Sequence, residues 1–262
     1  MYGALVLRNL RSISLLASTI RTGSKPKEFY EQHSRSLCVV PTVSAVEWPD
    51  LSDIIASCPA LVSLAIWDYL SQEEVLTIWL CSLRPGHFSR LCRLSLWLPY
   101  DGPFVKALVH HAPCITHLDF IVPYHGPLEQ LGDLFKSLPR LTHPMFMSFR
   151  NPEQTISFLR SHLPLSIRVC IVYCDRPLLT QISEEWVRQY IDDPSPIVLG
   201  NLASSAPEDS YDLLVKFSQC LLVDVCTTAT FVKNWGCQER ANNVWGQAEE
   251  VLALKRSTAL AD

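Results

Sequence analysis

One short hydrophobic frame recurs along this chain and constrains its fold more than any other feature of the sequence. The frame is a proline, an apolar residue two positions later, and then two apolar residues at alternate positions. It occurs at residues 59–66, 113–120 and 139–146, and without the proline at 91–96. Alternating apolar residues lie on one face of a β-strand, and a proline ends the helix before it. Each copy therefore predicts a strand that follows a helix.

A second repeat marks what comes after two of these strands. Residues 99–103 and 123–127 share the pattern Pro-Tyr-x-Gly-Pro and begin 24 residues apart. Each follows an apolar run and precedes a stretch with helical spacing, at 104–111 and 128–137. The unit therefore predicts strand, turn, helix and next strand. Successive units place a key apolar residue near positions 7, 37, 64, 94, 118, 144 and 169.

Neither the strand nor the helix of such a unit buries its apolar side alone, so neighbouring units must share a core. The spacing lies at or just above the range of leucine-rich repeats. For residues 1–174 we expect an α/β fold: a degenerate leucine-rich-repeat-like solenoid with a parallel sheet and helices on its outer face. Residues 175–262 break the rhythm and predict an irregular α/β C-terminal cap continuous with the solenoid, ending in a helix at 243–256.

Composition narrows the class of function. The chain has 262 residues, of which 48% are hydrophobic and 18% are charged, and its formal net charge is −4. This composition supports a large core, but it lacks the concentrated basic field that nucleic-acid or anionic-membrane binding requires. The ten cysteines include no Cys-x-x-Cys pair and lie mostly in apolar stretches. They are typical of buried thiols in a reducing compartment, so we expect an intracellular protein of the cytoplasm or nucleus.

The N-terminal segment permits two interpretations. Its first 27 residues hold five basic side chains and no acidic one, a composition also typical of a mitochondrial transit peptide. The interpretation that we favour is a strand at residues 5–8 followed by a helix at about 12–22. The alternative is a mitochondrial location, with the chain acting as a structural protein addressed by this basic segment.

The sequence contains few motifs that indicate metal binding, cofactor binding or catalysis. His110, His111, Cys114 and His117 lie close in sequence, but a predicted helix end and strand start separate them, so we expect no zinc site. The chain has no Gly-x-Ser-x-Gly elbow and no glycine-rich phosphate loop. We therefore expect no metal, no cofactor and no enzymatic activity. An enzyme with an unrecognised site is the alternative.

A binding surface is the better hypothesis. The residues between the core positions of each strand should face the open, concave side of the sheet. The predicted rows align Ser63 with Arg93, His117, His143 and Arg168, Ala65 with Ser95, Asp119, Met145 and Cys170, and Trp67 with Trp97, Ile121, Met147 and Val172. Aromatic, methionine and arginine side chains are favoured interface anchors.

From these rows we select the candidate partner-binding residues Trp67, Arg93, Trp97, His117, Asp119, His143, Met145 and Met147. A strand that is covered on both faces is also apolar throughout. Because exposed aromatic stripes are uncommon on monomers, burial of these rows is the alternative interpretation.

Four features carry a family resemblance. They are residues 25–38, the repeated Cys/Ala-Pro-x-Leu/Ile-x-x-Leu strands, Asp192-Asp193-Pro194 before 197–199, and residues 245–251 followed by Lys255-Arg256. Together they resemble the F-box/leucine-rich-repeat-like proteins expanded in basidiomycete fungi. The resemblance implies a repeat region that binds a protein partner, sometimes joined to an F-box that docks on the adaptor of a cullin-type ubiquitin ligase.

The sequence departs from that family at its N-terminus. An F-box would need a bundle of short helices before the repeats, whereas here the first strand is expected by Leu5. We therefore expect a protein-interaction module of repeat type, similar to a substrate receptor but without the F-box. A ligase adaptor would be a partner only if an F-box is missing from this chain.

Overall fold

The computed structural model describes residues 4–40, 48–67, 86–96, 107, 109–124, 128–148, 151–175, 183–202, 223–225 and 244–259. The fold class is α/β, with parallel pairing between successive strands. The chain divides into two compact units: unit 1 is Met1–Val122 with Ser137–Arg140, and unit 2 is Pro123–Lys136 with Leu141–Asp262. This division falls within a strand, between residues 122 and 123, and the domain boundary expected after residue 174 stays a prediction.

Unit 1 holds the first four strands and most of the fifth: β1 (Ala4–Leu7), β2 (Ser36–Val39), β3 (Ser63–Ile66), β4 (Arg93–Leu96) and β5 (His117–Tyr124). Each strand pairs in parallel with the next one along the chain. One register row consists of Leu5, Leu37, Leu64, Leu94 and Leu118. The predicted alignment of Leu64, Leu94 and Leu118 is confirmed, whereas the first key position is Leu5 and not residue 7.

Three helices of unit 1 have both ends within the described residues, namely α1 (Leu10–Arg21), α2 (Lys27–His33) and α3 (Trp48–Ala56). Helix α1 begins after Asn9, whose side chain accepts a hydrogen bond of 2.8 Å from the Ser12 amide. This capping contact satisfies a backbone donor that the first turn leaves unpaired. At the other end, Arg21 contacts Asp50 and Asp53 of α3. The strand and helix predicted for the N-terminal segment are confirmed as β1 and α1.

Unit 2 holds β6 (His143–Ser148), β7 (Cys170–Asp175), β8 (Ile197–Leu202) and β9 (Val223–Val225), again paired in parallel and in chain order. Its helices in the described residues are α4 (Leu128–Ser137), which ends at the unit boundary, α5 (Pro152–His162), α6 (Glu184–Ile191) and α7 (Val244–Ala259). The bounds of α4 are those predicted from helical spacing. No helix in the described ranges is both long enough and apolar enough to cross a lipid bilayer.

The register of β7 corrects two predicted rows. Met145 pairs with Ile171 and Met147 pairs with Tyr173, so the predicted alignments with Cys170 and Val172 are wrong by one residue. In the earlier repeats the key position lies five residues after the proline. In the repeat that begins at Pro164 the equivalent position is Cys170, which lies six residues after the proline. A shift by one residue moves every side chain of a strand to the opposite face. Arg168, placed in the first row, lies before the strand begins.

Strands β6 and β7 and the first four residues of β8 are buried on both faces. On one face, the Phe146 ring contacts the Phe135 ring of α4, with centroids 6.4 Å apart. On the opposite face, Met145 belongs to a buried apolar cluster that also contains Ile171 and Val198, and this cluster packs against α7. Helices therefore cover β6–β8 from both sides, which is why side chains at consecutive positions of these strands are apolar.

Candidate functional site

The two faces of the unit 1 strands differ in chemistry. The face with the leucine row also carries Val39, Ile66, Leu96 and Phe120. The opposite face carries Ser36, Cys38, Ser63, Ala65, Arg93, Ser95, His117 and Asp119, a set that we call the polar face. Because successive side chains of a strand point to opposite sides, one strand set supports an apolar core and a polar surface at once.

The polar face is only partly accessible to solvent. Ser95 and Asp119 are fully buried, Ser63 and His117 are half-buried, and the Arg93 side chain is largely buried. The predicted open, concave side is therefore not observed at Ser95 and Asp119, and burial on both faces describes these positions. The row Ser63, Arg93 and His117 keeps its predicted register and is the part of the polar face that is partly exposed to solvent.

Asp119 is the most unusual group on this face. Its carboxyl group is 0% exposed, and neither carboxylate oxygen has a partner at good hydrogen-bonding geometry. Arg93 Nη2 lies 3.8 Å from Asp119 Oδ2, which permits attraction but exceeds the length of a hydrogen bond. Burial raises the pKa of Asp119 to about 7, although Arg93 and the Ser95 hydroxyl both favour its charged form. The carboxyl group therefore titrates near neutral pH.

Ser95 connects this acid to an aromatic side chain. Trp67, the residue after β3, is buried, and its Nε1 donates a hydrogen bond of 2.9 Å to Ser95 Oγ. Because Ser95 Oγ accepts that bond, its own hydroxyl proton is free to point towards Asp119. Trp67, Ser95, Asp119 and Arg93 thus form one continuous set of contacts across three strands, which we call the Arg93–Asp119 cluster.

Arg93 links the buried cluster to the partly exposed row. Its side chain is 13% exposed. Burial lowers the pKa of Arg93, while Asp119 and Cys38 favour its charged form. His117 lies beside Arg93 in the register, and its Nδ1 is 2.9 Å from Thr116 Oγ1. A guanidinium group and an imidazole are therefore adjacent in the accessible part of the polar face.

No protein-family model matches the chain, and no curated protein sequence does either. The interpretation of the polar face consequently rests on its geometry. That geometry brings together four of the eight predicted partner-binding residues, namely Trp67, Arg93, His117 and Asp119.

Three of the other four predicted residues lie elsewhere. His143, Met145 and Met147 are on β6 in unit 2, where α7 packs beside them. The His143 ring meets the Trp245 ring edge-on at 5.4 Å, and its Nε2 is 3.3 Å from Glu249 Oε1. Trp97 lies outside the described residues. The chain's own helix therefore occupies the surface that His143, Met145 and Met147 were expected to offer to a partner.

The clustered histidines and cysteine do not form a metal centre in the described ranges. His110 and His111 pack edge to face with ring centroids 5.0 Å apart, and Cys114 Sγ lies 3.3 Å from Arg140 Nη1. Within the described part of the chain, no group of three or more His, Cys, Asp or Glu side chains is placed to hold a metal ion.

Lys255 is a notable side chain that the sequence interpretation did not select. It is 2% exposed and lies on α7 at helical spacing from Trp245, Ala248 and Leu252. That spacing was visible in the sequence and would have indicated that this lysine faces the core.

Proposed function

We propose that this chain is a protein-interaction module built as a degenerate leucine-rich-repeat-like solenoid, and that a protein partner binds along the row Ser63, Arg93 and His117. The observation that carries the proposal is the register of β2–β5, which aligns leucines on one face and polar side chains on the other. Stacked repeats produce such faces, and repeat proteins use the non-core face for binding.

A repeated backbone contact supports the interpretation as repeats. Before four of the strands, two consecutive backbone amides donate to a single carbonyl oxygen of the preceding repeat. The acceptors are Arg35, Val62, Cys92 and Thr142, and the donor pairs are Val62 with Ser63, Cys92 with Arg93, Thr116 with His117, and Arg168 with Val169. The same local geometry therefore recurs at β3, β4, β5 and β7, although the intervening sequences differ.

The chemistry of the accessible row indicates what it recognises. Arg93 presents hydrogen-bond donors, and the His117 imidazole carries at least one ring N–H that can also donate. Asp119, whose Oδ2 lies 3.8 Å from Arg93 Nη2, favours the charged form of the guanidinium group. We infer that the partner supplies acceptors, namely carboxylate side chains or backbone carbonyl oxygens of an extended segment.

The family resemblance is compatible with this role. Proteins of the F-box/leucine-rich-repeat-like type use their repeats to hold a protein partner. By this analogy the chain is similar to a substrate receptor, and a ubiquitin-ligase adaptor would bind only through an F-box outside this chain.

An enzymatic role is the second candidate, and Asp119 is the observation that favours it. A carboxyl group with a pKa of about 7 suits general acid–base catalysis near neutral pH. However, its carboxyl group is fully buried, so a substrate cannot reach it in this conformation. Partner binding through the half-buried row requires no such rearrangement.

Site-specific photo-crosslinking tests the proposed surface. A photoreactive phenylalanine analogue replaces Ser63, or Ser14 on the exposed side of α1 as the matched control. In extracts of the source cells we expect a discrete adduct from position 63 and none from position 14. Adding Arg93→Ala or His117→Ala should reduce the adduct about tenfold, as loss of an interface anchor does.

Circular dichroism of each variant distinguishes loss of binding from loss of folding. Equal adducts from positions 63 and 14, or an adduct that persists in both folded variants, would overturn the proposal. Absence of any adduct from position 63 would overturn it as well.

A further inference from the structure

Helix α7 packs on one face of β6–β8 through a single apolar stripe. Trp245, Ala248 and Leu252 lie at helical spacing and belong to the same buried cluster as Ile171 and Val198. Lys255 is the next residue on that stripe. A lysine therefore occupies a position where the helical pattern predicts an apolar side chain.

The ammonium group of Lys255 is buried without a hydrogen-bond acceptor. Its Nζ lies 3.8 Å from the centroid of the Tyr190 ring, and no hydrogen bond to it is formed. The attraction of a cation to an aromatic face is weaker than the cost of removing an ammonium ion from water. Burial of the Lys255 ammonium group therefore opposes the docking of the end of α7, because the loss of its hydration is not fully compensated.

The charged groups near Lys255 do not neutralise it. Asp193, which follows α6, accepts a hydrogen bond of 2.8 Å from Arg160 Nε of α5 and another of 3.1 Å from the Ser195 amide. Arg160 repels Lys255 while Asp193 attracts it. Burial raises the pKa of Tyr190, so its phenol is neutral. Strand β8 carries no titratable residue, and the side chains of β9 lie outside the described residues.

Tyr190 cannot move aside to relieve this contact. Its hydroxyl donates to the Ile197 carbonyl oxygen at 3.1 Å and accepts from the Leu199 amide at 3.0 Å. Strand β9 pairs with β8 only from Gly200 onwards, so the phenol supplies the backbone hydrogen bonds that precede that pairing. The ring also stacks on Trp186, with centroids 5.5 Å apart. The surface that Lys255 meets is therefore fixed.

We propose that α7 is a reversibly docked cover over this face of β6–β8, and that the buried, unpaired ammonium group of Lys255 keeps its docking weak enough to release. Release uncovers an apolar surface formed by Met145, Ile171, Tyr173 and Val198. Since that surface already seats α7 through one apolar stripe, it fits the apolar stripe of a partner's amphipathic helix in the place of α7. This inference is independent of the polar face of unit 1.

Hydrogen exchange of the full chain tests the cover, with α5 as the internal reference in unit 2. At about pH 7 the amides of α7 should exchange at least about tenfold faster than those of α5, because a docked helix that opens alone exchanges faster than the global limit. Lys255→Met keeps the length of the side chain and removes its charge, and it should slow exchange of α7 about tenfold. Arg256→Met, an exposed neighbour, is the matched control and should leave it unchanged.

The unsubstituted protein provides a second arm. Burial lowers the pKa of Lys255 to about 8 from 10.5, so the docked state binds fewer protons and docking strengthens as pH rises through that interval. After correction for intrinsic exchange rates, raising the pH from about 7 to about 9.5 should protect α7 about tenfold, and this effect should vanish in Lys255→Met.

Three results would overturn the proposal. The first is exchange of α7 together with α5 in the unsubstituted protein. The second is Lys255→Met exchanging as fast as the unsubstituted chain, or Arg256→Met slowing exchange equally. The third is protection of α7 that does not change with pH, which tests the proposal even if a substituted chain does not fold.

Discussion

Arg93 Nη2 and Asp119 Oδ2 lie 3.8 Å apart on neighbouring parallel strands, close enough to attract but too far to share a hydrogen bond. The pair is almost entirely removed from water, and for Asp119 the desolvation outweighs the attraction. Its carboxyl group is therefore largely neutral below pH of about 7 and charged above it. Near neutrality, the polar face of unit 1 changes charge with a small change in pH.

Asp119→Asn should remove one component of the dependence of stability on pH. The pKa of Asp119 is about 7 in the fold against 3.8 in the unfolded chain, so the folded state binds more protons between those values. Its contribution to stability is complete below pH of about 4 and is lost as pH rises through about 7. Relative to Asp119→Asn, the unsubstituted protein should lose about 2–4 kcal/mol of unfolding free energy between about pH 4.5 and 8.

Urea denaturation of both proteins across that range measures the difference. Asp133→Asn, an exposed change on α4, is the control and should follow the unsubstituted curve. If the unfolding free energies of Asp119→Asn and the unsubstituted chain changed with pH in parallel, Asp119 would have the same pKa in the folded and unfolded states, which contradicts this prediction.

Ser95→Ala should destabilise unit 1. The substitution removes the acceptor that Trp67 Nε1 uses at 2.9 Å and the hydroxyl that favours the charged form of Asp119. We expect a loss of about 1–3 kcal/mol in unfolding free energy, because buried polar groups lose a partner, and a further rise in the pKa of Asp119. Denaturant titrations at two pH values measure both effects. Ser89→Ala, an exposed control, should change neither.

Tyr190→Phe should weaken the start of β8 while keeping the ring that Lys255 contacts. The change removes a donor to the Ile197 carbonyl and an acceptor for the Leu199 amide. We expect a loss of about 1–3 kcal/mol and faster hydrogen exchange of the Leu199 amide. Tyr30→Phe, at another buried tyrosine, provides the comparison. If Leu199 retains its protection, water or a side chain replaces the phenol.

The cysteines should differ in reactivity towards a small alkylating reagent. Burial raises the pKa of Cys38 and Cys174 to about 12, whereas Cys114 is partly exposed. Because the thiolate is the reactive form, Cys114 should be modified at least about a hundredfold faster at neutral pH. Mass spectrometry of peptides after timed iodoacetamide treatment gives the rates. Comparable rates would mean that the interior opens faster than the reagent reacts.

The sequence predicted those features that depend on spacing within one element. Alternation identified the leucine rows of β3–β5, and helical spacing gave α4 its bounds, because each pattern reports which face of an element is buried. The register of β7 was not predicted correctly, since it depends on the length of the loop after Pro164. One extra residue there reverses the faces of the strand.

The candidate site was predicted only in part. Arg93, His117 and Asp119 were identified because polar residues alternate with leucines. The burial of Asp119 was not predicted, because the pattern of a strand does not show what covers its second face. For the same reason His143 and Met145 were expected to face a partner, although α7 covers them.

The phenol of Tyr190 also bears on self-association. A parallel sheet is open to addition of a foreign strand wherever backbone donors and acceptors remain unsatisfied. At the beginning of β8, the Ile197 carbonyl oxygen accepts from the Tyr190 hydroxyl and the Leu199 amide donates to it. These two backbone groups are therefore not available to an incoming strand. A single aromatic hydroxyl thus protects this stretch from the backbone pairing through which β-rich proteins aggregate.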